Sequence, residues 1–191
     1  MKYDLANAGA APRQIKQVTK NIFLNIFMRI IGIDPGLTKT GIGIIEVKNN
    51  TVIFIASETV YSSPADPLAT RLQLFHQKIV ELVKLHKPNE AAIEETFVNT
   101  NPTSSLKLGH ARGALILSLG LCGLGVSEYS STAVKKTIVG VGRAEKTQIQ
   151  MMVKILLPKA DFKTEDEADA LAVALCHNNH KRSFNPNPSS L

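Results

Sequence analysis

Tryptophan is absent from the 191 residues, and aromatic residues of every kind make up only 5% of them. Cysteine is nearly as scarce. Cys122 and Cys176 each sit in an apolar stretch, with no CxxC and no Cys/His ligand spacing around them. That pattern excludes a disulfide framework and a zinc site, and both thiols are expected to be buried and free, as in the reducing cytoplasm. No apolar run is long enough to span a bilayer: the longest, residues 114–125, is interrupted by Ser118, Gly120 and Gly123. A secretory signal is also missing. In residues 1–27 the small residues Ala6 to Ala11 come before the apolar run at 21–27, the reverse of a cleavable signal. Met28 immediately precedes the first clear strand, so the domain is expected to begin there, with residues 1–27 a mis-called start or a disordered extension. No Ser/His/Asp or Cys/His nucleophile arrangement occurs. His76, His86, His177 and His180 lack metal-ligand spacing and are expected at the surface or at helix ends.

What is present suits one soluble domain, with an apolar fraction of 44%, a charged fraction of 20% and a net charge of +6. The positive balance points mildly toward polyanions, since Lys and Arg displace counterions from phosphates. Residues 29–34 form an apolar run stopping at Pro35-Gly36, and residues 40–47 and 51–61 read as two more strands around an Asn49-Asn50 turn. Short connections make these three an antiparallel meander. Asp66-Pro67 reads as a helix start, with Asp66 as N-cap and Pro67 at the first helical position, and Leu72, Phe75, Ile79 and Leu82 then recur at helical spacing. Residues 90–95 form a fourth strand, 103–123 a helix, 126–129 a short strand, and 131–139 a helix ended by Gly140. Further helices are expected over 144–157 and 164–177, the last opened by a Thr164/Glu167 capping box, with residues 178–191 a disordered tail. The order implies an α/β layered sheet of mixed strand direction.

Four carboxylates stand where chemistry could use them. Asp34 ends an apolar strand at a turn, the kind of strand end where open α/β sheets bind ligands. Glu94 ends the fourth strand after Ala91-Ala92-Ile93, and pleating turns the adjacent Glu95 to the opposite face. Asp166 and Asp169 are an i, i+3 pair on one helix face that continues to Val173 and Cys176. Acids converging from two strands and one helix would need cations, and would make an oxygen-rich site for Mg²⁺ or Mn²⁺. Two such ions about 4 Å apart can drive phosphodiester hydrolysis. Each acid also has an ordinary structural reading: Asp34 as a turn residue, Glu94 as a strand-end charge, Asp166 as first-turn dipole chemistry. That reading is adopted for Glu165 and Glu167, and it explains Asp169 least well.

Five blocks in order extend the pattern: Ile33-Asp34-Pro35-Gly36, Ile93-Glu94-Glu95-Thr96-Phe97, the helix segment 106–113 (LKLGHARG), residues 141–146 (VGRAEK) and residues 166–172 (DEADALA). From about Met28 to His177 the chain closely resembles the RuvC family of bacterial Holliday-junction resolvases. The resemblance implies an RNase H-like fold, with a mixed five-stranded sheet flanked by helices. It implies that Asp34, Glu94, Asp166 and Asp169 are acidic metal ligands for Mg²⁺, two ions per site, with Mn²⁺ a possible substitute. It also implies a homodimer that binds four-way junction DNA, nicks it symmetrically in recombination and repair, and cooperates with RuvA and RuvB.

Between Lys135 and Lys163 seven basic residues face two acids, Glu145 and Asp161. Residues 140–143 (GVGR) before a helix start could cradle a phosphate, and Lys135, Arg143 and Lys146 are the expected phosphate contacts, supported by the resemblance. Lys154, Lys159 and Lys163 are expected on a solvated face. Phe97, in a polar loop after the Glu94 strand, could cover the core edge or stack on an unpaired base, and the resemblance favours stacking. Gly109, Gly113 and Ala114 form a small-residue strip on one helix, a candidate dimer face. Three other readings compete: an RNase H-like nuclease acting on structured RNA, a phosphate-binding ATPase module, and a junction-binding protein without catalysis. The ATPase would need a second strand-turn like residues 31–38 (IGIDPGLT), which the chain lacks, and the presence of all four acids gives the last no support.

Overall fold

The computed structural model describes residues 27–96 and 102–184. The leader and Phe97 therefore fall outside the described residues, apart from Phe27 at the leader's end. Strands β1 (Met28–Asp34), β2 (Lys39–Lys48) and β3 (Thr51–Tyr61) form the expected meander, and β4 (Glu90–Glu94) and β5 (Val126–Tyr129) complete a sheet of order β3-β2-β1-β4-β5. The first two pairings are antiparallel, whereas β4 runs parallel to both β1 and β5. Asn49 and Asn50 adopt positive φ at the β2–β3 turn, a conformation asparagine tolerates better than most residues.

Strand alternation sorts the sheet into two faces. Ile31, Ile33, Ile42, Ile44, Ala91 and Ile93 pack under α1 (Leu68–His86) and α2 (Pro102–Leu121). Ile30, Ile45 and Ala92 pack on the other face, under α3 (Ser131–Val139), α4 (Lys146–Leu156) and α5 (Glu165–Phe184). Each fully buried isoleucine is worth about 1.5–3 kcal/mol by removal of its side chain from water.

Helix α5 lies unusually close to the sheet because three residues beneath it have no side chain. A Cβ on Gly41 would sit 1.9 Å from the Asp166 carbonyl oxygen, one on Gly32 2.3 Å from that of Ala170, and one on Gly43 2.7 Å from the Leu171 nitrogen. Opposite Gly32 the helix presents Ala170 and Ala174, both fully buried. This glycine–alanine seam places the first turns of α5 over the C-terminal end of β1.

Several local expectations need correction. Asp66 does not cap α1; Pro67 is the N-cap and no side chain bonds the helix end, because Asp66 belongs to a turn closed by its own N–H donating to the Ser63 carbonyl. Helix α5 does not stop at His177 but continues to Phe184, since His177 and Asn178 are buried and still have packing to make; residues 185–191 lie outside the described residues. His177 is no surface residue: Nδ1 meets the Tyr129 hydroxyl at 2.8 Å and Nε2 meets Glu90 Oε2 at 2.7 Å, tying α5 to β4 and β5. Cys176 is buried and free as expected, but Cys122, at the exposed end of α2, is only half-buried.

The seam predicts that Gly41→Ala lowers the melting temperature by roughly 3–10 °C, the effect of about 1–3 kcal/mol of overpacking. Gly120→Ala, where nothing lies within 4 Å of the added methyl, is expected to leave it unchanged or raise it. Thermal unfolding of the two variants checks this, and equal effects would contradict the seam.

Candidate active site

Parallel pairing of β1 with β4 puts Ile33 beside Ile93, so the next residues, Asp34 and Glu94, end neighbouring strands at the same level. Alternation aims both toward α5, on the side of Ile30, Gly32 and Ala92. Glu95 is exposed and its backbone N–H donates to the Tyr129 carbonyl, in keeping with its exclusion. The Glu94 end of β4 is further held by Arg112 of α2, whose Nε donates to the Glu94 carbonyl at 3.4 Å while the guanidinium pairs with Glu128.

The turn after Asp34 is clamped by residues that sequence patterning did not single out. The Thr40 hydroxyl donates to the Gly36 carbonyl at 2.7 Å and accepts from the Gly36 N–H at 3.3 Å. The Ser62 hydroxyl and Arg71 Nη2 both donate to the Leu37 carbonyl, at 2.5 and 2.8 Å. Arg71 occupies a buried position among apolar residues of α1, and its partners lie on other elements, so spacing alone gave no sign of this role.

Asp34, Glu94 and Asp169 line one cavity of about 250 Å³ together with Ser131, Val134, Lys135, Lys146 and Ile149. Asp166 sits one turn earlier on α5, half-buried and 4.0 Å from Lys39 Nζ, outside the cavity wall but close enough to act on Asp34. Among the phosphate-contact candidates, Lys135 and Lys146 reach the cavity; Arg143 does not, standing exposed in the loop before α4. That loop is a poorer phosphate cradle than its glycines suggest, because the Glu145 carboxylate stands at the start of α4 and already accepts from the Gln148 N–H in a capping box.

Glu165 and Glu167 are assigned away from the cluster by their contacts. Glu165 is exposed and pairs with Lys146 at 3.1 Å. Glu167 is buried, accepting from the Ser57 hydroxyl at 2.6 Å and the Lys163 N–H at 3.3 Å, while its own N–H donates to the Thr164 hydroxyl at 3.1 Å. It therefore serves both as the expected capping acid and as a buried tie to β3.

Electrostatics marks the cavity as short of positive charge. Burial, then the carboxylates of Glu94, Asp169 and Asp166, push Asp34 up to about 8, against the pull of Lys146. Burial likewise raises Asp169 to about 6, with Lys146 and Lys135 opposing and Asp166 adding to the rise. Glu94 is raised by burial too, and the facing Ser131 hydroxyl works the other way. Among the described residues no three His, Cys, Asp or Glu side chains are already drawn together as a coordination shell. Mutual repulsion of the acids is a sufficient reason for that spacing. The donor set itself, all carboxylate oxygen, is hard and anionic and fits Mg²⁺ or Mn²⁺.

Stability should report this repulsion. A carboxylate whose folded-state pKa lies above its unfolded one stabilises the fold fully below about pH 4, and that contribution is lost as pH rises through the folded value, here near 8 for Asp34. In chelator, Asp34→Asn is expected to raise the melting temperature over wild type by roughly 4–8 °C at pH 8, for an effect on the order of 2 kcal/mol, and by much less at pH 5. A difference independent of pH would contradict the electrostatic reading.

Comparison with known proteins places this geometry. Residues 30–177 match the family model described as crossover junction endodeoxyribonuclease RuvC. The chain is 52% identical over 157 residues to the crossover junction endodeoxyribonuclease RuvC of Azorhizobium caulinodans, covering 82% of this chain and 93% of that one. It is 55% identical over 150 residues to the Rhizobium etli protein of the same name, covering 78% and 89%. Among solved structures, Thermus thermophilus RuvC in complex with a Holliday junction substrate superposes with a TM-score of 0.77 at 32% identity, over 82% of this chain and 96% of that one. The yeast mitochondrial Holliday junction resolvase shares the RNase H-like fold at a TM-score of 0.58 and 14% identity, over 84% and 86%. On the family model and these relatives together, the chain belongs to the crossover junction endodeoxyribonuclease RuvC family.

Proposed function

We propose that this chain is a metal-dependent endonuclease that resolves four-way (Holliday) DNA junctions during homologous recombination and repair, with Asp34, Glu94, Asp166 and Asp169 as its metal-binding acids. The observation that carries the assignment is the convergence of Asp34, Glu94 and Asp169 on one cavity that Lys135 and Lys146 also line. Two Mg²⁺ ions bound among such acids supply an activated water and stabilise the leaving oxygen, and Mn²⁺ has the same donor preference. The chain's own groups do the rest. Asp34 and Glu94, fixed on strand ends, hold their oxygens in place at no further ordering cost. Lys135 and Lys146 bring positive charge to a phosphodiester entering the cavity, and Arg143 extends that charge along the loop before α4. Phe97, three residues beyond Glu94, belongs to the same reading as a stacking platform for an unpaired base.

Symmetric nicking needs two sites, and the homodimer belongs to this proposal. Helix α2 supports it with exposed Leu106, Leu117 and Leu121, and with open space at Gly109 and Gly113 where a second backbone could approach. Cooperation with RuvA and RuvB and a cytoplasmic location rest on the family alone. No helix among the described residues is long and apolar enough to cross a membrane.

Cleavage of a synthetic four-way junction in Mg²⁺ tests the assignment. Asp34→Asn is expected to slow nicking by a factor on the order of a thousand, as removal of an ion-binding oxygen removes transition-state stabilisation, while junction binding changes by less than about threefold. Wild-type cleavage by that variant would contradict the site. Faster cleavage of structured RNA than of junction DNA would favour the alternative, an RNA-processing nuclease of the same fold.

A further inference from the structure

On the opposite face of the same strand ends lies a second cationic cavity. It has a volume of about 350 Å³ and is lined by Leu37, Thr38, Arg71, Ser104, Lys107 and Leu108. Arg71 is only 7% exposed, yet no carboxylate pairs with it among the described residues. Its partners are neutral: Nε donates to the Ser62 hydroxyl at 2.9 Å, and Nη2 to the Leu37 carbonyl at 2.8 Å and the Thr38 hydroxyl at 3.4 Å. Arg71 is nonetheless part of the cavity wall. A buried guanidinium bonded to neutral acceptors lacks a counter-ion, and an anion is what such a site favours.

Other features of the cavity share that sign. Lys107 is exposed on the wall, and none of the lining residues is acidic. Helices α1 and α2 both begin beside it, and neither carries an acid in its first turn, so their N-termini add to the positive field, although Asp66 lies just before the α1 N-cap. Leu37 and Thr38 follow Asp34 by three and four residues, which limits the separation of the two cavities to about 11–15 Å along the chain. That upper bound corresponds to no more than about four nucleotides of a duplex strand rising about 3.4 Å each.

We propose that Arg71 and Lys107 form a second phosphate subsite, which grips the strand being cut within about four nucleotides of the scissile phosphodiester. The proposal rests on the nuclease reading above. Arg71 supplies a fixed positive charge and Lys107 a mobile one, while the clamp that Arg71 makes on Leu37 and Thr38 couples occupancy of the subsite to the turn that carries Asp34.

Lys107 is the residue to vary, since Arg71 also holds the turn and its loss would disturb the fold. Junction binding is measured in Ca²⁺ across a salt series, with Lys107→Ala, Lys107→Glu and the remote Lys159→Ala. The expected results are five- to tenfold weaker binding at ~0.1 M salt for Lys107→Ala, more for Lys107→Glu, and a log–log salt slope smaller by about one, with Lys159→Ala at wild-type values. A scan of single methylphosphonate linkages locates the contact: neutralising one phosphate within about four nucleotides of the cut weakens wild-type binding several-fold and leaves Lys107→Ala unaffected. Inorganic phosphate at matched ionic strength is expected not to compete, which separates a strand phosphate from a free-anion site. Wild-type affinity and slope in Lys107→Glu would overturn the subsite, as would weakened binding accompanied by loss of the dimer in sedimentation, or competition by inorganic phosphate. A wild-type protein that neither binds nor cuts junctions would instead overturn the function on which the subsite rests.

Discussion

The contact on which the rest of the molecule depends is the one between α5 and the β1–β2 ribbon. A helix cannot come this near a sheet unless the strands lack side chains beneath it, and Gly32, Gly41 and Gly43 provide that gap. The alanines of α5 fill it from above. The apolar burial gained along this seam forces together what electrostatics would separate. Asp169 and Asp166 are carried to the end of β1, where Asp34 already stands beside Glu94, and the result is a buried acid raised to about 8. The core thus stabilises a site that is unfavourable by itself, as polar active sites commonly are.

The same strand ends serve two faces of opposite charge. Toward α3, α4 and α5 the edge is anionic and fitted to cations, with Lys135 and Lys146 at its margin. Toward α1 and α2 it is cationic, with Arg71 buried and Lys107 exposed. The turn at residues 35–38 lies between the two and is bonded to both sides through Thr40, Ser62 and Arg71. A strand of nucleic acid crossing this edge would meet attraction for its phosphates on either side of the acid cluster.

Much of this was legible in the sequence because it depends on local period. Alternation in β1 and β4 separates Asp34 and Glu94 from Glu95, and a spacing of three joins Asp166 to Asp169. Capping chemistry accounts for Glu167, whose partner Thr164 is three residues away. What could not be read depends on partners remote in the chain. Arg71 looks like a polar interruption of an apolar helix face until Leu37 and Ser62 are brought to it, and His177 looks like a helix end until Glu90 and Tyr129 enclose it. The continuation of α5 to Phe184 follows from that same enclosure, which no local signal records. The glycine seam does have a local sign: Gly41 and Gly43 alternate on one strand, and Gly32 lies on the matching face of its neighbour, opposite Gly43.

The central claim is that a hydrophobic seam assembles Asp34, Glu94 and Asp169 into a cation site distinct from the acids that cap α5. Calorimetric titration with Mn²⁺ at pH 8 addresses it without reliance on cleavage. Wild type and Glu165→Gln are expected to bind the ion alike, whereas Asp34→Asn and Asp169→Asn lose at least about tenfold in affinity, in line with the loss of a charged oxygen ligand. Undiminished binding in Asp34→Asn, or an equal loss in Glu165→Gln, would contradict the account.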